Sequence, residues 1–257
     1  MRLGATHLTV TDLDRSVAFY QDAIGLRVHR RDDGVAALGT GADDVLVLTE
    51  QPGARPPGRH AGLYHVALLY PSREQLAQAL QRVVGTRTPV EGMSDHGTHE
   101  AIYLPDPDGN GLELAADRPR SEWPELTAYG IGPQPLDVRD LYAQAGEPRR
   151  HAEGVRTGHL HLHVADVDAA RAFYRDVVGF DVMTELPTAV FLSHGGYHHH
   201  VAANVWRGRG VPPAPPDAVG LRHWTIVLAD GDHFAAEEGL LRDPSGNAVL
   251  LTRGGDS

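Results

Sequence analysis

A chain of 257 residues, 41% apolar and 22% charged, has the make-up of a globular protein and the length for one large core or two modest ones. Its net charge of −11, from 23 basic and 34 acidic residues, argues against a general nucleic-acid binder. Without cysteine there is no disulfide, thiolate nucleophile or iron–sulfur cluster, and because every basic residue is arginine, lysine Schiff-base chemistry is excluded.

No apolar run approaches the roughly 18–20 residues that a membrane helix needs. The opening MRLGATHLTV lacks a basic-then-apolar plan, so a cytoplasmic location is expected. The first strand is predicted around Leu8 and Val10. Asp12 or Asp14 then caps a helix in which Leu13, Val17, Tyr20 and Ile24 recur at helical spacing and Gly25 ends the run. Strands follow near 35–38 and 45–49.

A second unit opens with Leu63-Tyr64-His65-Val66-Ala67-Leu68-Leu69. Its helix carries a capping-box pattern from Ser72 to Gln75, with Leu76, Leu80 and Val83 on one face. Strands near 100–104 and 111–115 flank an Asp-Pro-Asp-Gly-Asn turn, in which Asp106 is read as a turn former. Residues 117–157 break the pattern and read as a linker with a short helix near 136–145. A third unit runs from about 158 to 207, and GVPPAPPD separates it from a fourth.

These units repeat one another. ATHLTVTDLDRSVAFYQDAIGL (5–26) superimposes on HLHLHVADVDAARAFYRDVVGF (159–180), and DPDGNGLEL (106–114) on DPSGNAVLL (243–251). The expected fold is therefore α+β, with four βαβββ modules in two domains, 1–116 and 158–253. The fourth module is too short to keep every element. The 16 histidines cluster at His159, His161 and His163, at His198–His200, and at His96 with His99.

The repeat, the helix-opening motif through Phe19-Tyr20 and Phe173-Tyr174, and the DPDGNGLEL ending resemble the vicinal oxygen chelate superfamily. GLYHVALL, SDHGTHEAIYLPDPDGNGLEL, GHLHLHVADV and GGYHHH bring the chain closest to its two-domain, catechol 2,3-dioxygenase-like branch. The likeness covers nearly everything outside the linker. It implies a metal ligand at the start of a module's first strand, seven residues before the helix-opening position. That position is His159 in module three, His65 in module two and His223 in module four, but Ala5 in module one. The carboxylate ligand of the last strand is Glu113 in module two. Leu250 and Val47 stand there in modules four and one, and neither binds a metal.

One complete set is implied: His65, Glu113 and His159, which requires module two to pack against module three. His161 and His163 share the strand face of His159 and are its alternatives. Two imidazoles and a carboxylate with open positions suit Fe(II), or Mn(II), in a ring-cleaving oxygenase. The resemblance further implies Tyr103, ten residues before Glu113, and His96, with His99 in reserve, as hydrogen-bonders to bound oxygens. Counting four residues on from Gly196 selects His200 as acid/base.

The implied activity is extradiol cleavage of a small aromatic diol with O₂ to a semialdehyde-type product. Two alternatives stand beside it. With His200 as fourth ligand, the site suits a glyoxalase-I-like isomerase using Ni or Zn. Without chemistry, the chain would be a small-molecule-binding protein. His223 reads as a relic. Relatives often associate, so a homo-oligomer is compatible, although the site does not require one.

Overall fold

The computed structural model describes residues 1–124, 132–229, 234 and 236–254. Module one comprises β1 (Arg2–Val10), α1 (Leu13–Phe19), β2 (Arg27–Asp32), β3 (Val35–Gly39) and β4 (Asp44–Glu50). The Asp12 carboxylate accepts the Arg15 backbone N–H and so starts α1. The helix continues as a π-helical turn over Tyr20–Ile24 and stops at Gly25, whose φ of 91° is the left-handed conformation glycine tolerates. β2 is absent from the sequence expectations because RVHRRD is an edge strand without apolar alternation.

Module two holds β5 (Gly62–Leu69), α2 (Arg73–Gly85), β6 (Gly92–Asp95), β7 (His99–Pro105) and β8 (Gly111–Asp117). Ser72 accepts the Gln75 N–H as its capping pattern predicts, and Leu76, Leu80 and Val83 are buried. The linker contains β9 (Gln134–Pro135) and α3 (Val138–Ala143); its residues 125–131 lie outside the described residues.

Module three is complete, with β10 (Arg156–His163), α4 (Val167–Ala172), β11 (Asp181–Leu186), β12 (Ala189–Ser193) and β13 (Val201–Asn204). Module four has β14 (Gly220–Leu228), β15 (Gly239–Arg242) and β16 (Ala248–Arg253), one strand fewer than the others. Among the described residues it has no helix, and 230–233 and 235 lie outside them. No helix among the described residues is long and apolar enough to cross a membrane.

Two sheets result, and each draws on both halves of the chain. One has the order β15-β16-β14-β1-β4-β3-β2, joining modules four and one; the other runs β11-β12-β13-β10-β5-β8-β7-β6-β9, joining modules three and two. The joints are the antiparallel pairs β1–β14 and β5–β10. The module pairing that the ligand set requires is thus present as backbone hydrogen bonding.

Two buried clasps tie the sheets together. Asp106 accepts the N–H groups of Asp108 and Asn110 at 2.8 Å, the Asn110 amide at 2.9 Å, and the Tyr20 hydroxyl at 3.0 Å. Asp243 repeats this with Ser245, Asn247 and Tyr174. Both aspartates are therefore turn formers, Asp106 as expected, and burial pushes their carboxyls up. Each tyrosine comes from a module of the opposite sheet. Tyr20→Phe, which leaves a buried carboxylate one donor short, is expected to cost about 1.5–3 kcal/mol in urea unfolding. An unchanged midpoint would show that the clasp contributes nothing.

Candidate metal centre

In the nine-stranded sheet β5 lies between β10 and β8. Ala67 of β5 is opposite His159 on one side and Glu113 on the other. His65 is two residues earlier on β5 and so shares its face. Three adjacent strands thereby bring two imidazoles and one carboxylate to a common point, and the small Ala67 side chain leaves room between them.

Glu113 Oε2 is 3.0 Å from His65 Nε2 and 3.1 Å from His159 Nε2, while Oε1 is 3.1 Å from His99 Nε2. All four side chains are buried. Burial alone would raise the Glu113 carboxyl, but the charges of His159 and His65 and the hydrogen bond to His159 outweigh it and hold it well below its usual range. His159 is pushed the other way, toward the neutral imidazole, by its burial. His65 Nε2, His99 Nε2 and Glu113 Oε1 are buried with no hydrogen-bond partner. Each such atom costs about 1–3 kcal/mol if left so. A divalent cation between His65, Glu113 and His159, whose ligand atoms lie within 4.8 Å of one another, satisfies His65 Nε2 and the carboxylate, and two imidazoles with an ionised carboxylate are a donor set it binds well. The residues fit a metal.

The same register identifies the counterparts in the other modules. Val47 opposite His7, and Leu250 opposite Thr225, occupy the place of Glu113, as expected. In module three that place belongs to Ala202, opposite His161. The count from Gly196 therefore ran two residues short, because the segment before β13 is longer than the turn before β8.

His200 accordingly departs from its expected place. Its Nδ1 accepts the His194 backbone N–H at 3.1 Å, and its ring stacks on Phe180. The imidazoles that abut the cluster are His199, with its ring centroid 4.0 Å from that of His159, and His198, stacked on His99 at 4.6 Å. The segment His198–His200 precedes the regular strand, so strand alternation does not govern which way these side chains turn.

Tyr103 is the cross-strand partner of Glu113, and His96 Nε2 lies 2.7 Å from its hydroxyl. His99, the reserve residue, is also at the site: it stacks on His96 and meets Glu113. His161 packs against Tyr64 and Trp206, and His163 bonds Asn204. His223 lies in the other sheet, stacked on His7 at 3.9 Å.

The sequence reading left out a relay behind His199. His198 Nε2 is 3.2 Å from Asp117 Oδ1, and His198 Nδ1 is 2.9 Å from His199 Nδ1. Asp117 carried a legible signal, since it is four residues beyond Glu113 and hence on the same strand face. The mouth of the site is aromatic, with exposed Tyr64 and Trp206 in edge contact at 5.3 Å and Phe191 beside His199.

So many buried imidazoles make stability pH-dependent. Burial, reinforced by neighbouring cationic groups, lowers His7, His96 and His163 to about 4 and His200 to about 3. In the unfolded chain each takes a proton near pH 6.5; in the folded protein each resists it. Their contribution is therefore full above about pH 6.5 and lost as pH falls toward 4. The Tm of the metal-free protein is expected to fall steadily over that window in a calorimetric pH series; a flat profile would contradict it.

Residues 2–114 match the Glyoxalase/Bleomycin resistance protein/Dioxygenase superfamily, and residues 156–191 match a bleomycin resistance protein-like N-terminal family. A Bacillus subtilis (strain 168) protein named catechol-2,3-dioxygenase is 42% identical over 235 residues, covering 88% of this chain and 82% of its own. A solved structure from Bacillus subtilis subsp. subtilis str. 168, provisionally described as a dioxygenase, shares the fold at TM-score 0.63 and 15% identity, over 100% of this chain and 86% of its own. Glyoxalase I from Zea mays does so at 0.61 and 18% identity, over 97% and 91%. With its paired modules and duplicated turns, the chain belongs to the glyoxalase/bleomycin resistance protein/dioxygenase superfamily, in the catechol-2,3-dioxygenase-like branch.

Proposed function

We propose that the protein is an extradiol dioxygenase that uses Fe(II) and O₂ to open a catechol-like aromatic diol to a semialdehyde-type product. The observation that carries this reading is the buried triangle of His65, Glu113 and His159, in a chain 42% identical to a protein named catechol-2,3-dioxygenase. These three residues would hold the iron, or manganese, which when bound supplies Lewis acidity and open positions for a diol and dioxygen. A cytoplasmic location belongs to the same reading.

The remaining roles fall to the chain's own groups. The Asp117 carboxylate favours a proton on His198 Nε2, which leaves His198 Nδ1 as an acceptor. His199 Nδ1–H then donates to it, and the lone pair of His199 stays at Nε2. We assign His199 as the base that takes a diol proton at Nε2 and later returns it. His96 Nε2–H donating to the Tyr103 oxygen directs that hydroxyl's hydrogen toward an acceptor such as a substrate oxygen. Tyr64 and Trp206 supply ring faces and edges at the mouth for an aromatic guest.

His99 supports a second reading. Its Nε2 lies 3.1 Å from Glu113 Oε1, and by turning toward the triangle it would make a four-ligand centre of the kind suited to an isomerase using Ni or Zn. Anaerobic loading with Fe(II), followed by oxygen uptake and absorbance on adding catechols, separates the two. Stoichiometric oxygen consumption with a yellow ring-opened product is expected. Stable metal binding with no oxygen uptake across a catechol panel would sink the dioxygenase reading and favour the isomerase.

A further inference from the structure

Modules one and four pair as modules two and three do, so the seven-stranded sheet carries a counterpart of the metal centre. His7 faces His223 as His161 faces His65, and Thr9 faces Gly220 as His163 faces Gly62. Leu240 stands opposite Leu250 as Tyr103 stands opposite Glu113. Of the ligand positions only His223 keeps a ligating side chain, while Val47, Leu250 and Ala5 stand at the others, so this copy lacks a complete metal-binding set.

A cleft of about 440 Å³ nonetheless opens at this vestige. Thr9, Gly220, His223 and Leu240 of the relic line it, with Arg222 and Arg242 from β14 and β15. Arg207 and His60, from the segments after β13 and before β5, complete its polar wall. Among the described residues no aspartate or glutamate lines the cleft, although acids outnumber bases by 34 to 23 in the chain. Arg207 is half-buried and, among the described residues, its side chain bonds only the His60 carbonyl, at 3.4 Å; Arg242 bonds the Gly246 carbonyl at 3.0 Å. Among the described residues no carboxylate meets Arg207, Arg222 or Arg242. A guanidinium withdrawn from water without a counter-charge is costly, and it becomes favourable when an anion arrives.

We propose that this cleft binds a small organic anion, a carboxylate or a phosphate ester, at a site separate from the metal centre. The guanidinium groups of Arg207, Arg222 and Arg242 grip the anionic group, since their planar forks match both oxyanion types. His223 adds a polar contact, and Leu240 with Pro215 and Pro216 receives the apolar remainder. The volume falls within the range of about 300–1,000 Å³ typical of small-molecule sites. This inference is independent of the reaction assigned to the metal centre.

Isothermal titration of the metal-loaded full chain with inorganic phosphate, and separately with succinate, tests the site at ionic strength held constant with chloride. Saturable binding of at least one probe is expected, weakened about tenfold or more in the Arg222→Glu/Arg242→Glu double variant. Both arginines are exposed, so the fold and the metal content are expected to match the wild type. Arg207→Gln is the second variant, with the same expectation. No saturable binding of either probe, or equal affinity in the variants, would overturn the proposal. Phosphate without succinate binding identifies a phosphate site, and the reverse a carboxylate site.

Discussion

Purified His65→Ala and His159→Ala proteins are expected to contain no stoichiometric metal, while His223→Ala binds metal as the wild type does. The first two substitutions each remove one corner of the triangle around Glu113, where atoms lie 3.0 and 3.1 Å from the carboxylate. One imidazole and the buried carboxylate are too few to hold a divalent ion against buffer, whereas the complete set is expected to hold it. His223 has only Val47 and Leu250 at the carboxylate positions of its own sheet. Metal analysis after dialysis reads all three variants in one experiment. Retained metal in either of the first two proteins would mean that module two and module three do not share the centre. Loss of metal in the third would place it in the other sheet.

The second large effect separates two neighbouring histidines. His199→Gln is expected to lower catechol turnover by about 10²–10⁴-fold with metal content intact, the range for losing a general base. His200→Gln is expected to change turnover by no more than a few-fold, because its ring is engaged with the His194 N–H and Phe180. Oxygen-electrode rates alongside metal analysis decide the matter. Equal losses in the two variants would remove His199 from its role. Loss of metal with His199 would make it a ligand instead.

What could be read from the sequence follows the physics of each feature. The caps at Asp12 and Ser72 were legible because a side-chain acceptor at the head of an amphipathic run has one dominant use. The turns around Asp106 and Asp243 were legible because their residue order is itself the structure. β2, β6 and β9 were not, since they lie at or near a sheet edge where no apolar alternation is required. His65, Glu113 and His159 were within reach because each sits a fixed number of residues from a recognisable motif on a regular strand. The position of His199 beside His159 was not legible, because the segment before β13 has no regular repeat from which to count. His99 and Asp117 form a cross-strand pair eighteen residues apart in sequence, which only the β7–β8 register reveals.

The joining of module one to module four, and of module two to module three, has a consequence for inheritance. In a symmetric dimer of two-module chains, every change in the gene would appear in both composite sheets at once, and neither could abandon its chemistry without the other. Linking the two copies in one polypeptide removes that constraint. Glu113 could persist in one sheet while its counterparts became Val47 and Leu250 in the other, without a second gene. The partner sheet still contributes to the shared architecture through the Tyr20–Asp106 and Tyr174–Asp243 clasps.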